Sequence, residues 1–507
     1  MNDSNLHEVS RLGADRAPRP VGGKAGRTLS GRTLSGRTLS GRTLSGRTLS
    51  GRALAVGLLG GALTLGACGA ASHSATVEPA HRAPSAAGRR SRVPSSGSPR
   101  AGSSSKPIKL VYWAGHASGA LHQAVIAEVD HFNATHPGIH VTFIDKGASK
   151  SGLAAFEAGQ APNVAMISSY ALGPMVNAGA VLNLKPYIDG PDGLSASELH
   201  SWYYPVVWDD MQTGGSSQYL FPLEKKSVQV LYFNADLLRR AKIAAPPRTW
   251  DEVTTDLAKL TALGPTFHGM AWTPSVRQFL DIARADGSPV FTTKTDRRTF
   301  DLDNAGGVEA MEMLRSWVQH GYMIVTSGYD YQTDFGAGKI GLLVDASAGY
   351  TYDAGSAGGK FPMGGAPAPA GSSGHSSQYI NGASIVMMNV GSKADKAASW
   401  TFVKYMGSPS TNTYWDEHTN YLPLGPETYS MMKSFYAKHP ALAATFSNPA
   451  TWWYKPQTGF AAVDYEAAKP TLLADILDAI TGRMSISAAL KNMDVEGTKY
   501  LKGILRA

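Results

Sequence analysis

Ile108-Lys109-Leu110-Val111-Tyr112-Trp113 is a run of strand-forming residues, and what surrounds it decides the fold. Leu121, Val125, Val129 and Phe132 recur at helical spacing, Pro137-Gly138 stops the helix, and Ile139, Val141 and Phe143 alternate with polar residues as a second strand. The unit repeats, with Leu153 to Gln160 reading as a helix and Val164 to Ile167 as a strand. Strands alternating with helices predict βαβ units and an α/β fold.

The same grammar runs on downstream. Val228-Gln229-Val230-Leu231-Tyr232-Phe233-Asn234 is a strand, followed by a helix from Ala235. In Pro246-Pro247-Arg248-Thr249-Trp250-Asp251-Glu252, Thr249 and Glu252 have capping-box spacing at a helix start, with Trp250 placed to pack. Val308, Met311, Leu314 and Val318 carry a helix to Gly321, and Ile340 to Val344 is a buried strand. Ala394 to Met406 is a helix ended by Ser408-Pro409. A chain of 507 residues with 43% hydrophobic content exceeds what one core of roughly 250 to 300 residues uses, so two lobes are expected.

Upstream the chain changes character. Residues 26 to 50 repeat Gly-Arg-Thr-Leu-Ser five times, a period that matches no solenoid and reads as disordered low-complexity sequence. Arg47 and Arg52 precede an apolar run from Ala53 to Leu65 that ends Leu65-Gly66-Ala67-Cys68, the order of a secretory signal. That ending resembles a bacterial lipobox, which implies lipidation of Cys68 as the first mature residue. The alternative is a buried free thiol. Cys68 is the single cysteine, so no intrachain disulfide, CxxC redox pair or Cys-based zinc site is available. From Gly69 to Pro107 small and polar residues dominate, as in a flexible stalk.

Charge follows the same division. The net +8 comes from residues 1 to 107, with 16 basic against 4 acidic residues, whereas residues 108 to 507 carry 31 against 35 and are net −4. A nucleic-acid partner is therefore not expected.

Several motifs fail on context. Gly336-Ala337-Gly338-Lys339-Ile340-Gly341 matches G-x-G-x-x-G, but a helical turn precedes it and a strand follows, the reverse of a dinucleotide fingerprint. Ile340 after Lys339 rules out a Walker A loop. Asp345-Ala346-Ser347-Ala348-Gly349 lacks the first glycine of a nucleophile elbow. The 14 histidines form no H-E-x-x-H, and Asp189-Gly190-Pro191-Asp192-Gly193 has the wrong spacing for an EF-hand. No catalytic residue, metal site or cofactor is expected.

The order of pieces resembles the family 1 extracellular solute-binding proteins of ABC importers, closest to the branch binding glycerol-3-phosphate and sugars. The resemblance covers about 400 residues from Ile108 onward. It rests on Phe132-Asn133 before Pro137-Gly138-Ile139, on Gly159-Gln160-Ala161-Pro162-Asn163-Val164, and on Val230-Leu231-Tyr232-Phe233-Asn234. Pro246 to Glu252, Phe335-Gly336-Ala337-Gly338-Lys339, Asn381-Gly382-Ala383-Ser384 and Asn420-Tyr421-Leu422-Pro423 complete it.

The resemblance implies a two-lobed, type II periplasmic-binding-protein fold with hinge strands, closing by hinge motion on a small polar solute. After the leader (1–67) and stalk (68–107), one lobe would combine 108–229 with 384–422 and the other 230–383 with 423–507. The implied partners are the solute, ABC permease subunits with a separate ATPase, and the extracytoplasmic membrane face through the lipid anchor. The chain is expected to be a monomer.

For the ligand, Trp272 falls where that branch places a cleft tryptophan, a core tryptophan being the alternative. Tyr421 matches a cleft tyrosine or a packed hinge residue, Trp113 ends the first strand at the cleft wall, and Ser347, Asn381 and Gly382 match positions that meet ligand. The branch's phosphate arginine is missing, since Gln457 or Thr458 stands in its place. Lys225-Lys226, before Ser227, are the candidates for replacing its charge from the other wall, although an exposed lysine pair is more often merely solvated. A sugar, oligosaccharide or glycerophosphodiester then fits at least as well as glycerol-3-phosphate, and Trp452-Trp453-Tyr454 supply stacking surface or core. The reading from another class is an exported, lipid-anchored carbohydrate-active enzyme. For it Asp209-Asp210 and Glu224 are available, but nothing selects a catalytic pair.

Overall fold

The computed structural model describes residues 106–116, 119–212, 217–291, 299–454 and 465–503. Cys68, the leader, the stalk up to residue 105, and Gln457 and Thr458 lie outside them, as does the Lys225 side chain.

The strands, in chain order, begin with β1 (Ile108–Ala114), β2 (Ile139–Asp145), β3 (Val164–Ile167), β4 (Phe221–Ser227), β5 (Gln229–Asn234), β6 (His268–Trp272) and β7 (Val290–Phe291). There follow β8 (Phe300–Asp301), β9 (Met323–Val325), β10 (Ile340–Ala346), β11 (Met363–Pro367), β12 (Gln378–Tyr379), β13 (Asn381–Met387) and β14 (Trp452–Trp453). One five-stranded sheet runs β2-β1-β3-β13-β4 and the other β11-β5-β10-β6-β9. Parallel pairs (β1 with β2 and β3, β10 with β6, β6 with β9) carry the helical crossovers, and β13, β4, β5 and β11 pair antiparallel. Each sheet has its own core. Leu110, Tyr112, Phe132 and Phe402 pack in the first lobe, and Leu257, Phe279, Leu314 and Trp317 in the second.

Local chemistry sets the helices. Thr249 caps Trp250–Thr261 by accepting the Glu252 N–H at 3.1 Å, but the Glu252 carboxylate reaches past the cap to the Arg248 N–H at 2.6 Å, so the box is offset by one residue. Ser408 caps the helix Pro409–Thr419 as well as following Lys393–Met406. The G-x-G-x-x-G glycines serve packing. A Cβ on Gly336 would sit 2.1 Å from Ser356 Oγ, and Gly338 turns the chain into β10 at φ +74°.

The chain passes between the sheets at three places. The first is Val228, between β4 and β5, and the second is Ile380, between β12 and β13. The third differs from the expected return at Pro423. The helix Pro426–Met431 still packs on Ala196–Trp202 and Pro409–Thr419 of the first lobe, and Met432 and Tyr436 belong to the first core. The passage is gradual: Pro440–Phe446 packs on β11 of the second sheet while Leu442 and Phe446 stay in the first core, and β14 then pairs parallel with β12. Alternate side chains of a strand point opposite ways, so Trp452 joins the first core, edge-on to Tyr204 at 5.3 Å, while Trp453 joins the second.

Candidate functional site

Strand register places the site. Ser227, the last residue of β4, lies opposite Asn381, and Gln229, the first of β5, lies opposite Ala346 at the end of β10. Ile167, the end of β3, lies opposite Ser384. The carboxyl ends of β3 and β10 therefore both turn toward the Val228 and Ile380 crossings, and ligands of open α/β sheets bind outside strand carboxyl ends.

Six expected site residues gather at this crossing. Ser227 faces Asn381 and Lys226 faces Gly382 in the ladder. The Leu422 N–H, next to Tyr421, donates to the Lys226 carbonyl at 3.1 Å, and the Ser347 N–H donates to the Val228 carbonyl at 2.8 Å. Asn381 is exposed, Gly382 half-buried, and Tyr421 buried with its ring 5.6 Å from Trp415. Ser227 and Ser347 are buried.

Lys226 does not present its charge to a cleft. Its side chain is 2% exposed and its ammonium sits 3.0 Å from the Asp210 carboxylate. The desolvated charge is neutralised inside the protein, which removes the expected compensating cation for phosphate.

Trp113 stands apart, paired with Ala165 two strands from β13. It is buried, with the Lys146 ammonium 4.0 Å from its ring centroid. The neighbouring His116 is also buried, its ring 5.3 Å from Trp415.

On the second lobe Trp272 is 4% exposed and part of the core. Its indole N–H donates to Gln278 Oε1, and Gln278 Nε2 donates to the Val344 carbonyl at 3.0 Å and Gln229 Oε1 at 3.3 Å. One side chain thus ties the tryptophan to β10 and to the first residue after the crossing. The cavity behind it, about 20 Å³, has room for no more than about one water and is too small for a solute. Asn420, at φ +58° after the helix Pro409–Thr419, donates to Thr351 Oγ1 at 2.8 Å and so links the two lobes.

Carboxylates cluster beside this wall. Asp345 accepts from Tyr331 Oη at 2.8 Å and from the Ala346 N–H at 2.6 Å. Asp281 accepts from Trp453 Nε1 and the Tyr379 N–H, both at 2.7 Å, and burial nevertheless pushes it up to about 7. Burial, and then the charge of Asp345, raise Asp353 to about 8. The folded chain thus holds a proton on Asp353 that the unfolded chain releases above the ordinary 3.8. The stability this group supports is full below that value and lost as pH rises through about 8. Tyr232, Tyr331 and Tyr350 face the same cluster. Asp353→Asn should therefore flatten the fall in Tm between pH 5 and pH 8, gaining about 3 °C or more at pH 8 relative to its change at pH 5. Thermal unfolding across pH checks this, and curves that stay parallel would exclude Asp353 as the group.

Two residues at this wall had no sequence signal beyond following a strand: Gln278, and Arg277 in the first turn of the helix Val276–Ala285. Burial raises both Asp281 and Asp345, and the Arg277 guanidinium offsets a part of that rise. Among the described residues, no group of three or more His, Cys, Asp or Glu is arranged to hold a metal, and no helix is long and apolar enough to cross a membrane.

Residues 114–413 match the family described as bacterial extracellular solute-binding protein. The chain belongs to that family. Its fold is the two-lobed one of periplasmic binding proteins. The sn-glycerol-3-phosphate-binding periplasmic protein UgpB of Yersinia pseudotuberculosis is 23% identical over 404 residues, covering 76% of this chain and 90% of that protein. UgpB of Escherichia coli K12 is 24% identical over 341 residues, 64% of this chain and 76% of that protein. Among solved structures of the same fold, the cyclic alpha-maltosyl-1,6-maltose binding protein of Arthrobacter globiformis superposes with a TM-score of 0.67 at 18% identity, covering 78% of this chain and all of that one. UgpB from Mycobacterium tuberculosis in complex with glycerophosphocholine superposes with a TM-score of 0.65 at 19% identity, covering 79% of this chain and 99% of that one. This family member is a substrate-binding protein of the ABC importer type.

Proposed function

We propose that the chain is a lipid-anchored, extracytoplasmic binding protein that captures a small polar solute by hinge closure and delivers it to an ABC permease powered by a separate ATPase. The solute is a sugar, oligosaccharide, glycerol-3-phosphate or glycerophosphodiester. One observation carries the reading: two single-strand crossings, at Val228 and Ile380, join two sheets whose strand carboxyl ends turn toward them. Thin connections concentrate motion in a few backbone torsions, and a solute touching both walls stabilises the closed form. The family membership and the relatives' names support the solute classes. Cys68 behind an apolar run supports the anchor.

A thermal-shift screen of these solutes, followed by small-angle scattering on the hits, tests the reading. At a hundred times Kd a bound solute stabilises by about 2.7 kcal/mol, and the radius of gyration should fall on closure. Product formation from a glycoside, or a full panel with neither shift nor contraction, would overturn it.

A further inference from the structure

The helix Pro409–Thr419 of the first lobe ends at Asn420, which adopts φ +58°. A left-handed residue just past a helix is usually glycine, because glycine takes up that conformation without strain. Asparagine tolerates it and adds a side chain, which here has a specific use. Asn420 is buried, and its Nδ2 donates at 2.8 Å to the Oγ1 of Thr351, 69 positions away in the second lobe.

Thr351 is the second residue of the helix Tyr350–Ala357, which leaves the carboxyl end of β10 through the single turn Ser347–Gly349. That turn already leans on the first lobe. The Ser347 N–H is bonded to the Val228 carbonyl, Ala348 packs against the first core, and the Tyr350 ring stands edge-on to His439 at 6.4 Å. On the other side Asn420 is followed by Tyr421 and by Leu422, whose N–H reaches the Lys226 carbonyl near the end of β4. The bond therefore closes beside the Val228 crossing, between the two chain segments that carry Ser347 and Tyr421. It follows no strand from one sheet to the other. A hinge rotation that carries the helix Tyr350–Ala357 away from the helix Pro409–Thr419 must break it, whereas the strand crossings survive any rotation. Thr351 is exposed, so water replaces the lost partner on its hydroxyl, while the buried Asn420 amide is left to find another. The bond thus favours the approached arrangement of the lobes.

Resting on the proposed hinge-closing function, we infer that Asn420 is a positioning residue: through Thr351 it biases the lobes toward the closed side of the hinge equilibrium, and so raises the affinity for every solute without touching any. A solute that binds the closed form has an apparent affinity proportional to the fraction of the chain already closed. Loss of the tie lowers that fraction by one factor, whatever the solute is. A residue lining the cleft behaves otherwise, since its loss falls on each solute according to the groups that solute presents.

The test compares Asn420→Gly, Thr351→Val and the double variant with the full wild-type chain. Glycine keeps the left-handed cap and deletes only the amide, and valine keeps the branched shape without the hydroxyl. The probes in titration calorimetry are maltose, sn-glycerol-3-phosphate and glycerophosphocholine. Every probe that wild type binds should be weakened about 2-fold to 10-fold, the range of one net hydrogen bond, and by the same factor for each. The double variant should lose no more than either single one, because both changes remove the same bond. Thr351→Ser, which restores the acceptor, should recover most of the loss seen with valine. Without solute, small-angle scattering should give Asn420→Gly a larger radius of gyration than wild type, a change that a merely structural cap would not produce. Losses that differ from probe to probe, losses that add in the double variant, unchanged affinity or tighter binding each overturn the assignment while leaving solute binding intact. If no probe and no solute of the wider screen binds, the solute-binding reading falls, and an unliganded radius of gyration unchanged in Asn420→Gly overturns the tie by itself.

Discussion

Lys226→Met should lower stability by about 3–5 kcal/mol, the cost of leaving a buried charge without its partner. The Asp210 carboxylate would remain 11% exposed at its side chain, with the ammonium that stood 3.0 Å away gone. Asp210→Asn should be damaging for the mirror reason, since an ammonium at 2% exposure loses the carboxylate that compensates it. The double variant should recover a large part of the loss, because an apolar and a neutral side chain of similar volume need no counter-ion. Denaturant unfolding of the four proteins closes the cycle. Additive losses would mean that the pair is not coupled as its geometry requires. The backbone of Lys226 adds to the effect, since its carbonyl receives the Leu422 N–H and so fastens the segment beside Tyr421 to β4.

Trp272→Ala should be comparably severe, about 3–5 kcal/mol for an aromatic truncated in a packed core. The ring lies in the second lobe's core cluster with Trp250, Phe279 and Trp317 and borders an existing small cavity, so the new void has little prospect of collapsing. Trp272→Phe separates the two contributions of the side chain. Phenylalanine keeps most of the apolar contact but removes the donor to Gln278, and Gln278 then loses part of its hold between Gln229 and Val344. The phenylalanine variant should stay folded and retain more than half of the stability lost by alanine, while weakening solute binding more than its Tm suggests. Denaturant midpoints read against solute affinity decide this. If alanine is tolerated with a loss under about 1 kcal/mol, Trp272 is a surface-facing ligand residue and the core placement is wrong.

The local pattern of the chain was enough to read the fold elements. The run at Ile108, the helical spacing from Leu121 to Phe132 and the alternation at Ile139 became β1, the helix Gly119–Thr135 and β2. The lobe boundary beside Val228 came with the family resemblance, since the local pattern reads Val228 only as the first residue of a strand and gives no strand over Phe221–Ser227. The third crossing was not legible. Trp452-Trp453 reads equally well as stacking surface or core, and only the pairing of β14 with β12 shows the strand sending one ring into each lobe.

The site divides in the same way. Ser227, Ser347, Asn381, Gly382 and Tyr421 are expected ligand residues from the family resemblance, and strand register brings them together around Val228 and Ile380. The sequence by itself determined the periodicities, the caps and the order of the pieces, since these depend on residues within a few positions of one another. Only the tertiary structure decided which charges are spent and which remain available. Lys226 looked open to a ligand until Asp210, from a different element, was placed against it. Electrostatic pairing is set by distance in space and by burial, and neither is carried by the spacing of residues along the chain.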